Sequence, residues 1–389
     1  MKKCIPLAAV LFAVLILIPK LHAQPLVTIE TVTVGDAGNA ADTTGYGAAA
    51  DVFAIGKYEV TIGQYTTFLN SVAAVTSDTY IVNLWNANMT SNLNIAGISR
   101  SGSGILGDPY SYSVLGSGSR PITDVSWFDA ARFANWMNNG ATNGASTETG
   151  AYTLNGATNG TGFTKNAGAT WWIPSEDEWY KAAYYKSGGT DAGYWAYPTQ
   201  SDSAPDNNIG GAANQANWIV GDYAVTQSAS YDSSQNYLTD GGAFSNSGSA
   251  YGTFDQGGNV FEWNDAVIDS SRRGRRGGAW DSIDFGLQSS VRGSLDPTLE
   301  ESYLGFRVAT VPEPSTYALL ALTAAGLGAY ILRRRRKITR TRVFPDPSDH
   351  GSRQRSGANS SRRSGRRTRS CAPTARTRCA SWRPTANLA

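Results

Sequence analysis

Apolar residues recur at helical spacing in three segments, and each segment follows a residue that can cap a helix. Thr61 precedes the first segment, Ser126 the second and Ser175 the third. Ser175 and Glu178 are typical of a capping box, in which each side chain accepts a hydrogen bond from the other residue's backbone N–H. The helices are predicted over Thr61–Val72, within Arg120–Asn138 and within Thr170–Lys186. The predicted buried stripes are Ile62, Tyr65, Phe68 and Leu69 in the first helix, and Trp127, Ala131, Ala134 and Met137 in the second.

Short apolar runs predict strands around these helices. They cover Val52–Val60, the start of Arg120–Asn138, the stretch Arg272–Trp280, and Tyr303–Ala309. The polar stretch Thr76–Ser119 is predicted to be an irregular insertion loop. Because Gly, Asn, Ser and Thr interrupt most periodic segments, the pattern indicates an α+β domain with little regular secondary structure.

Both ends of the chain have the pattern of export signals. Lys2 and Lys3, an apolar run and a small-residue cleavage site are typical of a secretory signal peptide, so we expect residues 1–23 to be removed. Further along, the apolar residues Tyr317–Leu332 lie between Pro312-Glu313-Pro314 and the basic run Arg333–Lys337. As a helix they would reach about 24 Å, which is short of a ~30 Å hydrocarbon core. The basic run should remain cytoplasmic, which places the residues before Pro312 outside.

This order of motifs resembles the PEP-CTERM sorting signal of Gram-negative bacteria that produce exopolysaccharide. The resemblance implies that residues 312–337 form a transient transmembrane segment, that an exosortase removes it, and that the product reaches the cell surface or extracellular matrix. Residues 338–389 are rich in Arg, Ser and Thr and are expected to be disordered. Three interpretations of this tail are open: a nucleic-acid-binding arm, a cytoplasmic remnant of the sorting signal, or an extension that arose by frameshift or read-through.

The exported part, residues 24–311, is acidic, although the whole chain carries a formal net charge of +2. It holds 13 Lys and Arg against 28 Asp and Glu, a net charge of −15. This charge argues against nucleic acid as a partner and is compatible with bound cations.

Residues 24–311 contain no Cys and no His, and this absence excludes several kinds of chemistry. It rules out Ser-His-Asp and Cys-His catalysis, ordinary zinc sites, thiolate copper sites and histidine-ligated iron. Carboxylate chemistry and oxygen-ligated ions are left. The Cys and His residues of the sequence are Cys4, His22, His350, Cys371 and Cys379.

One loop, Gly252–Trp263, combines oxygen ligands with a flexible backbone. Asp255, Asn259 and Glu262 surround the glycine pair Gly257-Gly258. Calcium prefers such ligands on a backbone that can bend round the ion. The spacing is not that of an EF-hand, so a polar turn between two strands is the alternative interpretation.

Two other charged clusters have structural interpretations. Glu176 and Asp177 favour the positive end of the third helix, so we interpret them as first-turn residues rather than catalytic acids. The arginines within Arg272–Arg276 could bind an anion. In an acidic domain, however, we expect them to pair with neighbouring carboxylates.

Six motifs follow one another between Val52 and Ala309. They are Lys57–Thr61, Pro121 with Val125–Ala130, Ile173–Glu176 with Glu178-Trp179, Gly258–Trp263, Arg276–Trp280 and Gly305–Arg307. Their order resembles the formylglycine-generating enzyme, or sulfatase-modifying factor, domain. The resemblance implies a fold of that family, related to the C-type lectin fold, over residues 24–311, together with structural calcium.

Carried over by position, the resemblance implies two calcium sites. The first would use Asp255, the main-chain carbonyls of Gly258 and Val260, and Glu262. The second would use Asn217, the carbonyl of Trp218, Asp232 and the carbonyl of Ser234.

The activity of the family does not carry over by position. Its oxidase holds copper with two cysteines, and relatives that use iron hold it with histidines. The cysteine positions correspond here to Ser282 and Leu287, whose side chains cannot replace thiolates as soft ligands. We therefore expect neither copper nor iron.

Two hypotheses of function follow. The first is a calcium-stabilised, non-catalytic binding or structural module at the cell surface, with an exopolysaccharide or a peptide as ligand. The second is an enzyme, either a formylglycine-generating-enzyme-like oxidoreductase or one of altered chemistry that uses the acids near Asp281 and Asp284. Ligand binding by the domain would support the first hypothesis, and loss of turnover in an Asp281 variant would support the second.

Overall fold

The computed structural model describes residues 24–312, with three further single residues, Gly326, Tyr330 and Arg333. The predicted signal peptide, most of the sorting segment and the Arg-rich tail lie outside these residues. Among the described residues, no helix is both long and apolar enough to cross a membrane.

Within residues 24–312, three helices of more than two turns form, each beginning where its capping residue predicts. Helix α1 spans Ile62–Val72, and Thr61 accepts a hydrogen bond from the backbone of Gln64. Two single-turn helices follow, α2 (Thr79–Val82) and α3 (Asn88–Ser91). Helix α4 spans Trp127–Asn138, and helix α5 spans Glu176–Tyr184. All three capping boxes, at Thr61, Ser126 and Ser175, are present.

The strands are short and form three sheets. One four-stranded antiparallel sheet has the order β1 (Thr31–Val34), β2 (Phe53–Gly56), β10 (Ala309–Thr310), β5 (Trp171–Trp172). A two-stranded hairpin pairs β3 (Ile98–Ser101) with β4 (Ser111–Val114). The third sheet has the order β8 (Gly293–Leu295), β7 (Arg273–Arg276), β6 (Phe261–Val267), β9 (Leu304–Phe306), and β6 runs parallel to β9. A single 3₁₀ turn spans Asp284–Leu287.

Two sequence-based predictions of elements were wrong. The stretch Thr76–Ser119 is not an irregular loop, because it contains α2, α3 and the β3–β4 hairpin. The start of Arg120–Asn138 forms only an isolated bridge between Thr61 and Pro121 instead of a strand. The strand predicted over Val52–Val60 is confined to β2.

The main core lies between α1, α4 and the first sheet, and aromatic side chains fill it. Phe68 packs against Phe133 with ring centroids 5.3 Å apart, and Phe133 also meets Phe306 of β9 at 5.5 Å. Charged side chains are buried as well: Arg132, Arg273, Arg276 and Arg307 are each at most 1% exposed. A buried guanidinium requires partners, so these arginines fix where the acids of the domain must lie.

Candidate functional site

The loop before β6 has a backbone that few residue types can adopt. Asp255 and Asn259 have positive φ angles of 60°, and Gly258 has φ of 84°. A Cβ on Gly258 would lie 2.3 Å from the carbonyl oxygen of Asn217, so only glycine fits there. The residue types at these positions therefore allow a tight turn, and this turn brings the loop against the Asn217 segment.

Main-chain hydrogen bonds join this loop to the two other stretches that the sequence singled out. The N–H of Gly258 donates to Gly277 O at 2.8 Å, and the N–H of Trp280 donates to Asn259 O at 2.9 Å. The N–H of Asn259 donates to Asn217 O at 2.8 Å. The glycine-rich segment before Trp280 and the Asn217 segment thus both lie against the predicted calcium loop.

Glu262 is fully buried and forms an ion pair with Arg307. Arg307 donates from Nε to Oε2 at 2.6 Å and from Nη2 to Oε1 at 2.7 Å. Trp179 Nε1 also donates to Oε2 of Glu262, at 2.8 Å. Oε1 accepts a single one of these bonds, so it retains a lone pair for another partner.

Two further carboxylates lie close to this ion pair. Glu59 is 3% exposed, and its Oε2 has no hydrogen-bond partner. Burial raises the pKa of Glu59 well above its usual value, the charges of Asp255 and Glu262 raise it further, and Arg307 lowers it. Asp255 accepts a 2.6 Å hydrogen bond from Gly242 N–H, and burial raises its pKa to about 6.

The charges of these four residues do not balance. With every carboxylate ionised, three acids face one guanidinium, which leaves two uncompensated negative charges in a buried region. Such charge requires a cation or protons. Glu59, which sequence analysis missed, supplies the unpartnered oxygen; its signal was an acid in an otherwise apolar stretch.

Within residues 24–312, no group of three or more His, Cys, Asp or Glu side chains is arranged so that it could hold a metal ion. A calcium ion here would need main-chain oxygens as further ligands. The carbonyls of Gly258 and Val260 lie in the same loop as Asp255 and Glu262. The first calcium site therefore stays a prediction.

The residues of the second predicted calcium site are less closely associated. The buried amide of Asn217 donates to Tyr237 O at 2.9 Å and to Asn259 Oδ1 at 3.1 Å. Asp232 is exposed, and its Oδ1 accepts from the N–H of Ser234 at 2.8 Å. The carbonyl of Trp218 accepts from Asn207 Nδ2 at 3.2 Å. Asn217 and Asp232 are linked through Tyr237, whose hydroxyl accepts from the N–H of Asp232.

The two positions of the family's metal-binding cysteines have ordinary structural roles. Ser282 Oγ accepts a 2.9 Å hydrogen bond from the N–H of Ala279. Leu287 is completely buried in an apolar cluster with Tyr197, Ala216 and Trp218.

Three of the four arginines within Arg272–Arg276 pair with carboxylates, whereas Arg275 lies over the rings of Phe261 and Tyr303. Arg276 and Arg292 both contact the buried Glu176, at 2.7 and 2.5 Å. Arg273 pairs with Asp265 at 2.8 Å. Glu176 is therefore held by two cations in addition to its place in the first turn of α5. Asp281, the acid of the alternative enzyme hypothesis, is exposed.

Comparison with known proteins agrees with this architecture. Residues 27–311 match the family described as the sulfatase-modifying factor enzyme 1-like domain, and residues 310–336 match the PEP-CTERM protein-sorting motif. No curated protein matches.

Several solved structures are similar over most of this chain. CarF is 19% identical, with 74% of this chain and 99% of CarF covered and a TM-score of 0.43. The variable protein 1 of Treponema denticola is 17% identical, with 75% and 98% covered and a TM-score of 0.41. PvdO from Pseudomonas aeruginosa is 17% identical, with 74% and 93% covered and a TM-score of 0.38.

The family match confirms the expected fold, and the motif match confirms the sorting signal. The PEP-CTERM motif is a signal for exosortase processing and implies export across the inner membrane to the cell surface. This chain, an exported protein with a C-terminal sorting motif, therefore belongs to the sulfatase-modifying factor enzyme 1-like family.

Proposed function

We propose that this protein is a non-catalytic, calcium-stabilised member of its family that acts at the cell surface as a binding or structural module. The observation that carries the proposal is Leu287. Where the family's oxidase is expected to hold copper through a cysteine, this chain places a completely buried isobutyl group.

The surroundings of Leu287 leave little room for a metal ligand. A Cβ on Gly278 would lie 2.7 Å from Leu287 Cδ1, so the leucine is packed directly against the glycine-rich segment. Tyr184 Oη donates to the carbonyl of Leu287 at 3.1 Å and fixes the backbone. The hydroxyl of Ser282 is a hard and weak ligand compared with a thiolate. A soft metal would thus find neither a thiolate nor an imidazole between residues 24 and 311.

Calcium is the cation that the remaining oxygen ligands favour. Asp255, Glu262 and the loop carbonyls would hold it, with Glu59 close by, and its charge would offset the two uncompensated negative charges. The calcium ion would have a structural role, because it would hold in place the loop that contacts Asn217, Gly277 and Trp280.

Export determines the environment in which the module acts. Under this proposal residues 317–332 anchor the chain transiently, and an exosortase then releases the folded domain. The ligand would be an exopolysaccharide or a peptide. Nucleic acid is disfavoured as a ligand, because a domain with a net charge of −15 repels it.

Metal analysis of the purified full chain by plasma mass spectrometry tests the proposal. We expect one or two calcium ions per chain and neither copper nor iron. Glu59→Gln should lower the calcium content, whereas Glu30→Gln, at an exposed acid paired with Lys57, should not. Stoichiometric copper or iron would overturn the proposal and favour the enzyme hypothesis.

Ligand binding requires a separate measurement. Glycan and peptide arrays probed with the calcium-loaded chain should show binding above background. If both arrays remain at background, the binding role is wrong and a purely structural role is left.

A further inference from the structure

Three segments that are distant in sequence meet beside the first turn of α4. They are Asn86–Asn88 in the insertion, Asp124–Asp129 at the start of α4, and Pro297–Glu301 before β9. The N–H of Asp124 donates to Glu301 O at 3.1 Å, and the N–H of Trp127 donates to Pro297 O at 3.0 Å. Asn86 Nδ2 donates to Glu300 Oε2 at 2.5 Å.

Acidic side chains gather where these segments meet. Asp124 is 1% exposed, and neither of its carboxylate oxygens has a hydrogen bond of ordinary geometry. The Asn88 amide lies near enough to lower the pKa of Asp124, but burial outweighs it and raises that pKa to about 6. Burial raises the pKa of Glu300 to about 8, and the charges of Asp129 and Asp124 raise it as well.

No cation of the described chain compensates Asp124 and Glu300. The groups that act on the pKa of Glu300 are two acids and one amide, and those that act on Asp124 are Asn88 and Glu301. Arg132 acts on Asp129, but its guanidinium already pairs with Glu148 at 2.8 Å. The carboxylate of Asp129 is used by the N–H and hydroxyl of Ser126, at 2.8 and 2.7 Å.

The side chains here are hard oxygen ligands with access to solvent. Asn88 is exposed and Glu300 is partly exposed, whereas Asp124 is buried behind them. No group of three or more His, Cys, Asp or Glu side chains within residues 24–312 could hold a metal ion, so these two carboxylates need further ligands. Calcium, however, completes its coordination with amide oxygens, carbonyls and water.

We propose that Asp124 and Glu300, with amide oxygens of the Asn86–Asn88 segment, bind a hard divalent cation of the calcium type that joins the insertion to the segment before β9. This site is separate from the one at Asp255 and Glu262. A bound ion neutralises the carboxylates, and it explains why Asp124 has a buried carboxylate without a hydrogen bond.

The test measures calcium binding and unfolding temperature of the full chain after treatment with a chelator. The variants are Asp124→Asn with Glu300→Gln, Glu300→Gln alone, and Glu301→Gln as a control that removes a neighbouring charge. Asparagine tolerates the positive φ of 53° at position 124, so the double variant should fold. Glu59→Gln reports on the other site.

In equilibrium dialysis against calcium chloride, the double variant should bind one ion fewer than the wild type. Glu300→Gln alone should lower the affinity for that ion on the order of tenfold or more, because ligand charge sets calcium affinity. Glu301→Gln should bind as many ions as the wild type, and Glu59→Gln should affect a different ion. The proposal is overturned if the double variant binds as many ions as the wild type and unfolds at a higher temperature in chelator. That result would identify Asp124 and Glu300 as buried acids kept protonated without a cation.

Discussion

Arg307 links the loop Gly252–Trp263 to the rest of the domain through one guanidinium. Besides Glu262, it donates to Gly56 O and to Phe254 O, each at 2.9 Å. Its N–H groups thus meet acceptors that are buried or partly buried, and a single substitution at Glu262 would leave a buried positive charge without its carboxylate.

Glu262→Gln is therefore expected to lower the free energy of unfolding by about 3–5 kcal/mol, as is typical when a buried ion pair loses one partner. Urea unfolding in chelator measures this without any contribution from metal. The control is Asp269→Asn, which breaks the exposed pair between Asp269 and Arg272 and should cost little. Equal losses in the two variants would show that the Glu262–Arg307 pair does not stabilise the core.

Asp265 gives a prediction about pH. Its burial outweighs its ion pair with Arg273, so its pKa rises to about 7, and burial lowers the pKa of Arg273. A pKa raised above the unfolded value of about 3.9 contributes stability that is present below pH ~4 and is lost as pH rises through 7.

Asp265→Asn should accordingly flatten the decrease in unfolding free energy between pH 4 and pH 7. The measurement is urea unfolding of the wild type and the variant at several pH values in this range. Slopes that stay the same would mean that the pKa of Asp265 is not raised in the folded protein.

At the scale of single residues, the sequence indicated the types of oxygen ligand but not which side chains surround them. Asp255 and Glu262 are recognisable from the loop itself. Glu59 and Arg307 are not, because Glu59 lies 200 positions from Asn259 and Arg307 lies 45 positions from Glu262, so they meet the loop only through the fold. The burial of Leu287 is likewise a property of tertiary packing.

At the scale of elements, local signals determined the helices. Thr61, Ser126 and Ser175 each act on backbone N–H groups within the next three residues, so the caps could be predicted without the fold. The β3–β4 hairpin could not, because its strands are largely polar and the nine residues 102–110 separate them. The parallel pairing of β6 with β9 joins distant residues, and no local pattern indicates it.

The cap of α5 can be tested directly. Ser175 Oγ accepts from Glu178 N–H at 3.1 Å, and Glu178 Oε2 accepts from Ser175 N–H at 2.7 Å. Ser175→Ala should lower the free energy of unfolding by about 1 kcal/mol. Ser270→Ala, at an exposed serine outside any helix, is the matched control for urea unfolding. Indistinguishable curves would show that the cap contributes nothing.

At the scale of the whole molecule, the total net charge conceals that the chain consists of an acidic part and a basic part. The positive total charge averages an acidic exported domain with basic flanks. The motif at 310–336 marks where the two parts meet, and processing at this motif would release the acidic part alone.

Glu313→Ala with Pro314→Ala should therefore retain the chain in the membrane fraction of the producing cell. The wild type should yield a shorter product that lacks the basic run Arg333–Lys337. Fractionation followed by mass spectrometry of the intact products distinguishes the two, and the Asp269→Asn chain controls for unrelated effects on export. Release of the double variant at the wild-type rate would contradict a role for the motif.

The position of β10 has a mechanical consequence. This strand lies between β2 and β5, and the sorting motif begins at its last residue, Thr310. The N–H of Val311 also donates to Thr170 O. A pull on the sorting segment therefore acts on a strand that is hydrogen-bonded along both of its edges. Tension during export is expected to act on the β10–β2 and β10–β5 hydrogen bonds together. Single-molecule force measurements should therefore show the domain unfolding in one step, and not strand by strand from its C-terminal end.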